Sequence, residues 1–311
     1  MSLASTLGAL ALSVSAPEAC AREIVVLGAG QDAGAPQIGN FGDNYPYLYP
    51  SSLGLIDREN DQRFLFDATP HITRQMAYLE EATRTDRTKP REPGLRLDGV
   101  FLTHAHIGHY LGLAYLGREA ANTSGVPVYA MPRMAKFLRE NGPWDQLVSA
   151  RNIAITEIEE GSLTVISNEF GVFPITVPHR DEYSETVGFF ISTPDKRALY
   201  VPDLDSWDEF AELNGETLED LMSRVDYAFI DATFWDDSEL KGRDMGAIPH
   251  PRVTGTMEQL ADLPKSERAK VHFIHYNHTN PIRDPASAES KQVKARGFNV
   301  ARRGMRMCLS D

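Results

Sequence analysis

From Arg22 onward, short runs of β-branched and aromatic residues alternate with stretches in which apolar positions recur among polar ones. The runs predict strands over residues 23–27, 52–56, 63–66, 99–103, 126–129, 163–166, 186–191, 198–201, 227–230 and 271–274. The mixed stretches predict helices over 72–83, 110–120, 133–140, 217–224 and 254–261, the last bracketed by Pro251 and Pro264. No internal repeat and no long Pro/Gly/Ser linker interrupts the alternation, so residues 22–311 are expected to form one α/β domain.

Residues 1–21 follow another pattern. They are apolar from about Leu3 to Ala16 and end on Ala19-Cys20-Ala21, the small-x-small arrangement a signal peptidase accepts, with no Lys or Arg ahead of the apolar stretch. They are expected to be an export signal, which places the protein in the periplasm or outside the cell; as a disordered N-terminal arm they would leave it in the cytoplasm. No segment carries the ~18 to 20 apolar residues of a membrane-spanning helix. With 42% hydrophobic and 24% charged residues the composition is that of a folded globular chain. The net charge of −13 lacks the basic footprint of a protein that tracks phosphate backbones, so a small-molecule substrate rather than nucleic acid is expected. The only cysteines are Cys20 and Cys308, too few for a disulfide framework or a four-cysteine zinc site, and Cys308 has no visible partner. A metal would have to be held by histidine and carboxylate.

The strongest chemical signal is Thr103-His104-Ala105-His106-Ile107-Gly108-His109, directly after the apolar run 100–102. Residues two apart in extended backbone point the same way, so His104 and His106 can grip one ion while His109, where a helix begins, faces a neighbouring position. The segment Leu27-Gly28-Ala29-Gly30-Gln31-Asp32-Ala33-Gly34 invites a dinucleotide-binding reading, which fails. Ala33 stands where the fingerprint needs glycine, and Pro36, Gly39, Gly42 and Pro46 prevent a helix from opening there. A loop lining the metal cleft is expected instead, with Asp32 and Asp43 as substrate contacts. No G-x-S-x-G is present to suggest a covalent nucleophile.

The histidine cluster resembles the H-x-H-x-D-H signature of the metallo-β-lactamase-fold superfamily, and later landmarks appear in that superfamily's order. They are Phe64-Leu65-Phe66-Asp67, Val177-Pro178-His179 followed by Thr186-Val187-Gly188-Phe189, Tyr200-Val201-Pro202-Asp203, and Phe273-Ile274-His275. Within the superfamily the chain resembles relatives of pyrroloquinoline quinone biosynthesis protein B, through Val26-Leu27-Gly28, Pro36-Gln37, Phe234-Trp235-Asp236-Asp237, Met245-Gly246 and Asn277-His278-Thr279-Asn280-Pro281. It departs from them in having Gly39-Asn40-Phe41-Gly42 where they carry cysteines, and in possessing the H-x-H cluster, so their biosynthetic role does not carry over.

The resemblance implies a four-layer αββα sandwich of two mixed β-sheets flanked by helices. It also implies a first metal position at His104, His106 and His179, and a second at His109, Asp203 and His275, with Asp203 bridging. Asp67 and Asp231 are expected to hold ligand imidazoles from behind. His275, immediately after its strand, takes the ligand position ahead of His278, although the two could exchange roles; His278 and His250 join Asp203 as candidate catalytic groups. His71 and His272 are read as structural. Zn²⁺ fits this donor set, as one or two ions, and Fe²⁺ or Mn²⁺ also suit it. Gly108 replaces the signature aspartate, which implies a weaker second position that Gly108→Asp should tighten. The expected activity is metal-hydroxide hydrolysis of an ester, lactone, lactam or phosphodiester. A mononuclear iron enzyme using O₂ on the same scaffold is the alternative, and a non-catalytic, metal-stabilised binding protein stands behind both.

Overall fold

A computed structural model describes residues 20–310 except 41, 44, 85–87, 89, 91–93 and 168–169. The export segment therefore lies outside the described residues, apart from its last two positions. Fourteen strands are described: β1 (Arg22–Gly28), β2 (Ser52–Asp57), β3 (Gln62–Phe66), β4 (Gly99–Phe101), β5 (Val126–Ala130), β6 (Ile153–Glu157), β7 (Thr164–Ser167), β8 (Phe170–Thr176), β9 (Val187–Ser192), β10 (Arg197–Val201), β11 (Tyr227–Asp231), β12 (Val271–Ile274), β13 (Asn299–Val300) and β14 (Arg306–Ser310). They form two seven-stranded sheets, ordered β14-β1-β2-β3-β4-β5-β6 and β13-β12-β11-β10-β9-β8-β7.

Alternation along the strands decides the layering. In β1, Ile24 and Val26 point into the core shared with the second sheet, while Val25 and Leu27 join a separate core beneath helices on the outer face. That outer layer comprises α1 (Ile72–Thr83), α3 (Pro132–Glu140) and α4 (Trp144–Ser149), with Met76, Met134 and Leu147 buried against the sheet; the short α2 (Ile107–Tyr110) follows the histidine loop. Beyond the second sheet, α5 (Trp207–Asn214), α6 (Leu218–Ser223), α7 (Val253–Gln259) and α9 (Ala288–Ala295) contribute Phe210, Leu221, Met257 and Val293 to the inner core, with α8 (Lys265–Arg268) on the surface. This is the expected sandwich of two mixed sheets with helices.

Each sheet is half antiparallel and half parallel. β3-β4-β5-β6 run parallel in the first, and β10-β11-β12-β13 in the second. Parallel neighbours present their carboxyl ends at one edge, which is where open α/β sheets place their sites. Asp67, Thr103, Asp203, Asp231 and His275 all stand on or just beyond such ends.

Several elements depart from expectation. The predicted helix over 110–120 is instead α2 running into a 3-10 turn, Leu111–Leu116. The Gly112 amide donates to the Ala68 carbonyl at 2.8 Å, and a Cβ at 112 would meet the Thr69 carbonyl oxygen at 2.1 Å, so this segment is tied to the chain after β3 rather than to its own preceding turn. β6, β8, β13 and β14 were not expected. β8 carries Pro174, which weakens its pattern, and β6 is largely exposed. Cys308 does have a partner, in correction of the expectation: it forms a disulfide with Cys20. Ala21 donates to the Ser310 carbonyl at 3.1 Å and accepts from the Arg58 amide at 2.9 Å, so both residues belong to the folded structure.

Candidate metal centre

At the carboxyl edges of the two sheets, six of the nine histidines converge around Asp203. The first group is His104, His106, His179 and Asp203, whose ligand atoms all lie within 4.8 Å of one another. His106 Nδ1 is 2.8 Å from His104 Nε2 and 3.2 Å from His179 Nε2. The second group is Asp32, His109 and His275, within the same limit. Asp203 Oδ2 lies between the groups, 3.2 Å from His179, 3.5 Å from His104, 3.7 Å from His275, 3.8 Å from His109 and 4.0 Å from His106. One carboxylate oxygen therefore faces five imidazoles, the arrangement a bridging ligand requires.

The outward nitrogen of each ring fixes its tautomer. His109 Nδ1 meets Asp67 Oδ2 at 2.8 Å, His179 Nδ1 meets Asp205 Oδ1 at 2.6 Å, and His275 Nδ1 meets Thr233 Oγ1 at 3.1 Å. His104 Nδ1 meets Thr103 Oγ1 at 3.0 Å, and that hydroxyl donates onward to Asp67 at 2.9 Å. His106 is reversed, with Nε2 3.3 Å from Glu182 and Nδ1 turned inward. With each outward N–H placed on an acceptor, the inward nitrogen of every ring keeps its lone pair for a cation. His109 Nε2, His275 Nε2 and Asp203 Oδ1 are buried with no hydrogen-bond partner. Unpaired buried polar atoms are costly and rare in native proteins; a metal would satisfy these, so the residues present fit one.

Electrostatics agree. Burial pushes His104 and His275 well below the ordinary histidine value, favouring the neutral form that ligates. Burial opposes the charge on Asp203, yet the imidazoles of His275 and His179 hold its carboxyl well below the usual range. Burial likewise opposes protonation of His179, but Asp203 and Asp205 push it up to about 10. The centre thus favours a positive charge among its donors.

Asp67, at the end of β3, accepts from the Thr103 amide and hydroxyl, both at 2.9 Å, and from the Tyr200 hydroxyl at 3.0 Å. It holds the histidine loop and ties it to β10. Asp231, at the end of β11, accepts from the Leu204 amide at 3.0 Å, which fixes the loop carrying Asp203, and meets His250 Nδ1 at 2.9 Å. Asp203, Asp231 and His250 form a third group of potential donors.

Not every expected residue arrives. His278 is not in these groups: its Nδ1 lies 2.7 Å from Asn277 Oδ1. Asp43 is buried in an ion pair with Arg283 rather than facing a substrate. Asp32 is partly exposed, as a substrate loop would be, yet it lies with His109 and His275. Asp205, Glu182, Thr103, Thr233 and Tyr200 had no sequence signal beyond proximity to ligands; Asp205, two residues after Asp203, was the most accessible of them.

A family model described as a β-lactamase superfamily domain matches residues 62–276, a span that includes every donor named above except Asp32. Coenzyme PQQ synthesis protein B of Methylorubrum extorquens (strain PA1) is 26% identical over 321 positions, covering 92% of this chain and 99% of the relative. The protein of the same description from Pseudomonas aeruginosa (strain LESB58) is 29% identical over 287 positions, with coverages of 83% and 87%. Among solved structures, Zn²⁺-bound PqqB from Methylobacterium extorquens superposes with a TM-score of 0.71 at 22% identity, covering 92% of this chain and 99% of that one. A diphosphatase of the PhnP family follows at 0.63 and 18%, covering 92% and 96%, and human tRNase Z, short form, at 0.57 and 14%, covering 93% and 100%. The matched span and the two-sheet architecture together show that the chain belongs to the β-lactamase superfamily, as a metallo-β-lactamase-fold relative of PqqB.

Proposed function

We propose that this protein is a metal-dependent hydrolase, with Zn²⁺ as the ion its donors suit first, acting on an ester, lactone, lactam or phosphodiester bond of a small molecule. The observation that carries the reading is the convergence of five imidazoles on Asp203, each held from behind by an acceptor. His104, His106, His179 and Asp203 would hold one ion, and His109 and His275 would share a second with Asp203. When bound, the ion supplies acidification of a water molecule and polarisation of the substrate oxygen under attack.

The remaining steps belong to the chain. Asp203, held ionised and with no hydrogen bond to Oδ1, orients the attacking water. His250 Nδ1 faces Asp231 at 2.9 Å and Asp203 Oδ1 at 3.4 Å, which leaves Nε2 to donate a proton to the leaving group. The bland alternative, a metal-stabilised binding protein, has no use for this polarised His250–Asp231 pair beside the ligands. The Cys20–Cys308 disulfide suits an oxidising compartment, and it favours export only with any cleavage ahead of Cys20, because removal of residues 1–21 would take Cys20 with it.

A panel of esters, lactones, lactams and phosphodiesters tests the reaction. An RNA oligonucleotide belongs in it, because only net charge argues against nucleic acid and a tRNase Z shares the fold. On the substrate that turns over, His250→Asn is expected to lower kcat about 10²-fold or more with metal content unchanged. Unchanged kcat removes His250 from the mechanism, and no turnover across the panel by fully metallated protein contradicts the hydrolase reading.

A further inference from the structure

Position 108 carries glycine where the family signature has an aspartate, and the structure gives that glycine a steric reason. A Cβ at 108 would lie 2.5 Å from Asp32 Cα and 2.9 Å from the Asp32 carbonyl oxygen, so the loop after β1 rests directly on the histidine loop. The same loop is pinned on its other side. The Gln31 amide donates to the Tyr276 carbonyl at 3.1 Å, the Tyr276 amide donates to Ala29 at 3.0 Å, and the Gly34 amide closes the turn onto Gln31 at 2.8 Å. Gly108 adjoins His109 and Tyr276 adjoins His275. The loop is thus fixed against the neighbours of both imidazoles whose buried Nε2 atoms have no partner.

Asp32 sits at the turn with φ +39°, a left-handed conformation that a residue with a Cβ rarely adopts. Held there, its carboxylate comes within 4.8 Å of the donor atoms of His109 and His275. Non-glycine residues in such conformations persist where the surroundings enforce them, and they gather at functional sites. Here His275 at φ 64° and Asp67 at φ 67° share the condition.

We propose that Asp32 is the carboxylate ligand of the second ion position, completing it with His109, His275 and the bridging Asp203. The carboxylate comes from the loop after β1 instead of the histidine loop, and Gly108 is what lets that loop approach. This inference rests on the metal-centre reading above. It reverses the expectation that Gly108→Asp would tighten the second position, because a side chain at 108 displaces the backbone of the ligand it would replace. It also removes the ground for a mononuclear centre, which was the missing carboxylate.

The test is metal stoichiometry. Wild type, Asp32→Asn and Asp32→Ala are stripped with chelator, dialysed against Zn²⁺ and then Mn²⁺, and assayed for ions per chain, with thermal unfolding of the stripped proteins to check folding. Wild type is expected to take up two ions. The variants are expected to keep the first and to bind the second more weakly, by no less than the roughly tenfold that loss of an outer partner costs. Variants that bind the second ion as tightly as wild type, or a wild type that holds only one, overturn the assignment of Asp32 while leaving the first position standing. A wild type that takes up no ion overturns the metal-centre reading itself. Anomalous diffraction from Zn²⁺-soaked wild-type crystals decides the matter even if the variants fail to fold. An Asp32 oxygen at about 2.0–2.2 Å from the second ion is expected, and a second ion without that contact contradicts it.

Discussion

Two histidines on one short stretch show how surroundings set the role of a residue. His275 directly follows β12 with its Nε2 turned into the metal centre, whereas His272, three positions earlier, is buried beside Phe229 and donates from Nδ1 to the Lys270 carbonyl at 2.9 Å. Burial lowers the His272 pKa to about 4, against about 6.5 in an unfolded chain. Between those values the unfolded chain binds the proton and the folded one does not, so stability falls as pH drops through that window. The difference corresponds to at most about 3 kcal/mol. Urea unfolding of wild type and His272→Leu at pH 7 and pH 4 is expected to show a smaller acid loss in the variant, by about 2 kcal/mol. Equal losses would mean that His272 is not held neutral. Its structural role was legible in the sequence, as was His71, which packs edge-on to Tyr49 at 5.3 Å. The role of Asp32 was not. Its placement rests on the approach of its backbone to Gly108 and on the Gln31–Tyr276 bond, which span most of the chain, and no local spacing encodes them.

Elements were legible where one physical signal dominated. α1 was predicted with its observed bounds, and β10, β11 and β12 to within a residue, because buried parallel strands read as continuous apolar runs. Those same strands deliver Asp203, Asp231 and His275, so much of the centre could be read from residues that follow apolar runs. β8 and β6 were lost to a proline and to solvent-facing polar residues. The helix predicted after the histidine loop failed for a tertiary reason: the Gly112 amide bonds to Ala68, which joins the segment to the chain that also carries Asp67. That bond holds the far side of the histidine loop, and a pattern of polar and apolar positions does not report it.

At the scale of the whole molecule, two half-parallel sheets bring their carboxyl edges together, and one aspartate stands between the ligand groups they supply. The chain is also closed on itself, since β14 pairs with β1 and Cys308 is bonded to Cys20 across 288 positions. Two cysteines were too few to suggest a framework, and their pairing depends on the return of the last strand to the first. Replacing both cysteines by serine is expected to lower the unfolding free energy by about 2 to 4 kcal/mol. Metal content should stay unchanged, since none of the donors named above lies on β1 or β14; unchanged stability in chemical denaturation would show that the strand pairing alone closes the sheet. The central claim is that the converging histidines hold metal, and elemental analysis of the purified protein tests it most directly. About two divalent ions per chain in wild type, and loss of the first-position ion in His104→Ala with His106→Ala, is the result predicted here. A folded wild type that takes up no divalent ion, or a double variant with unchanged metal content, would contradict it.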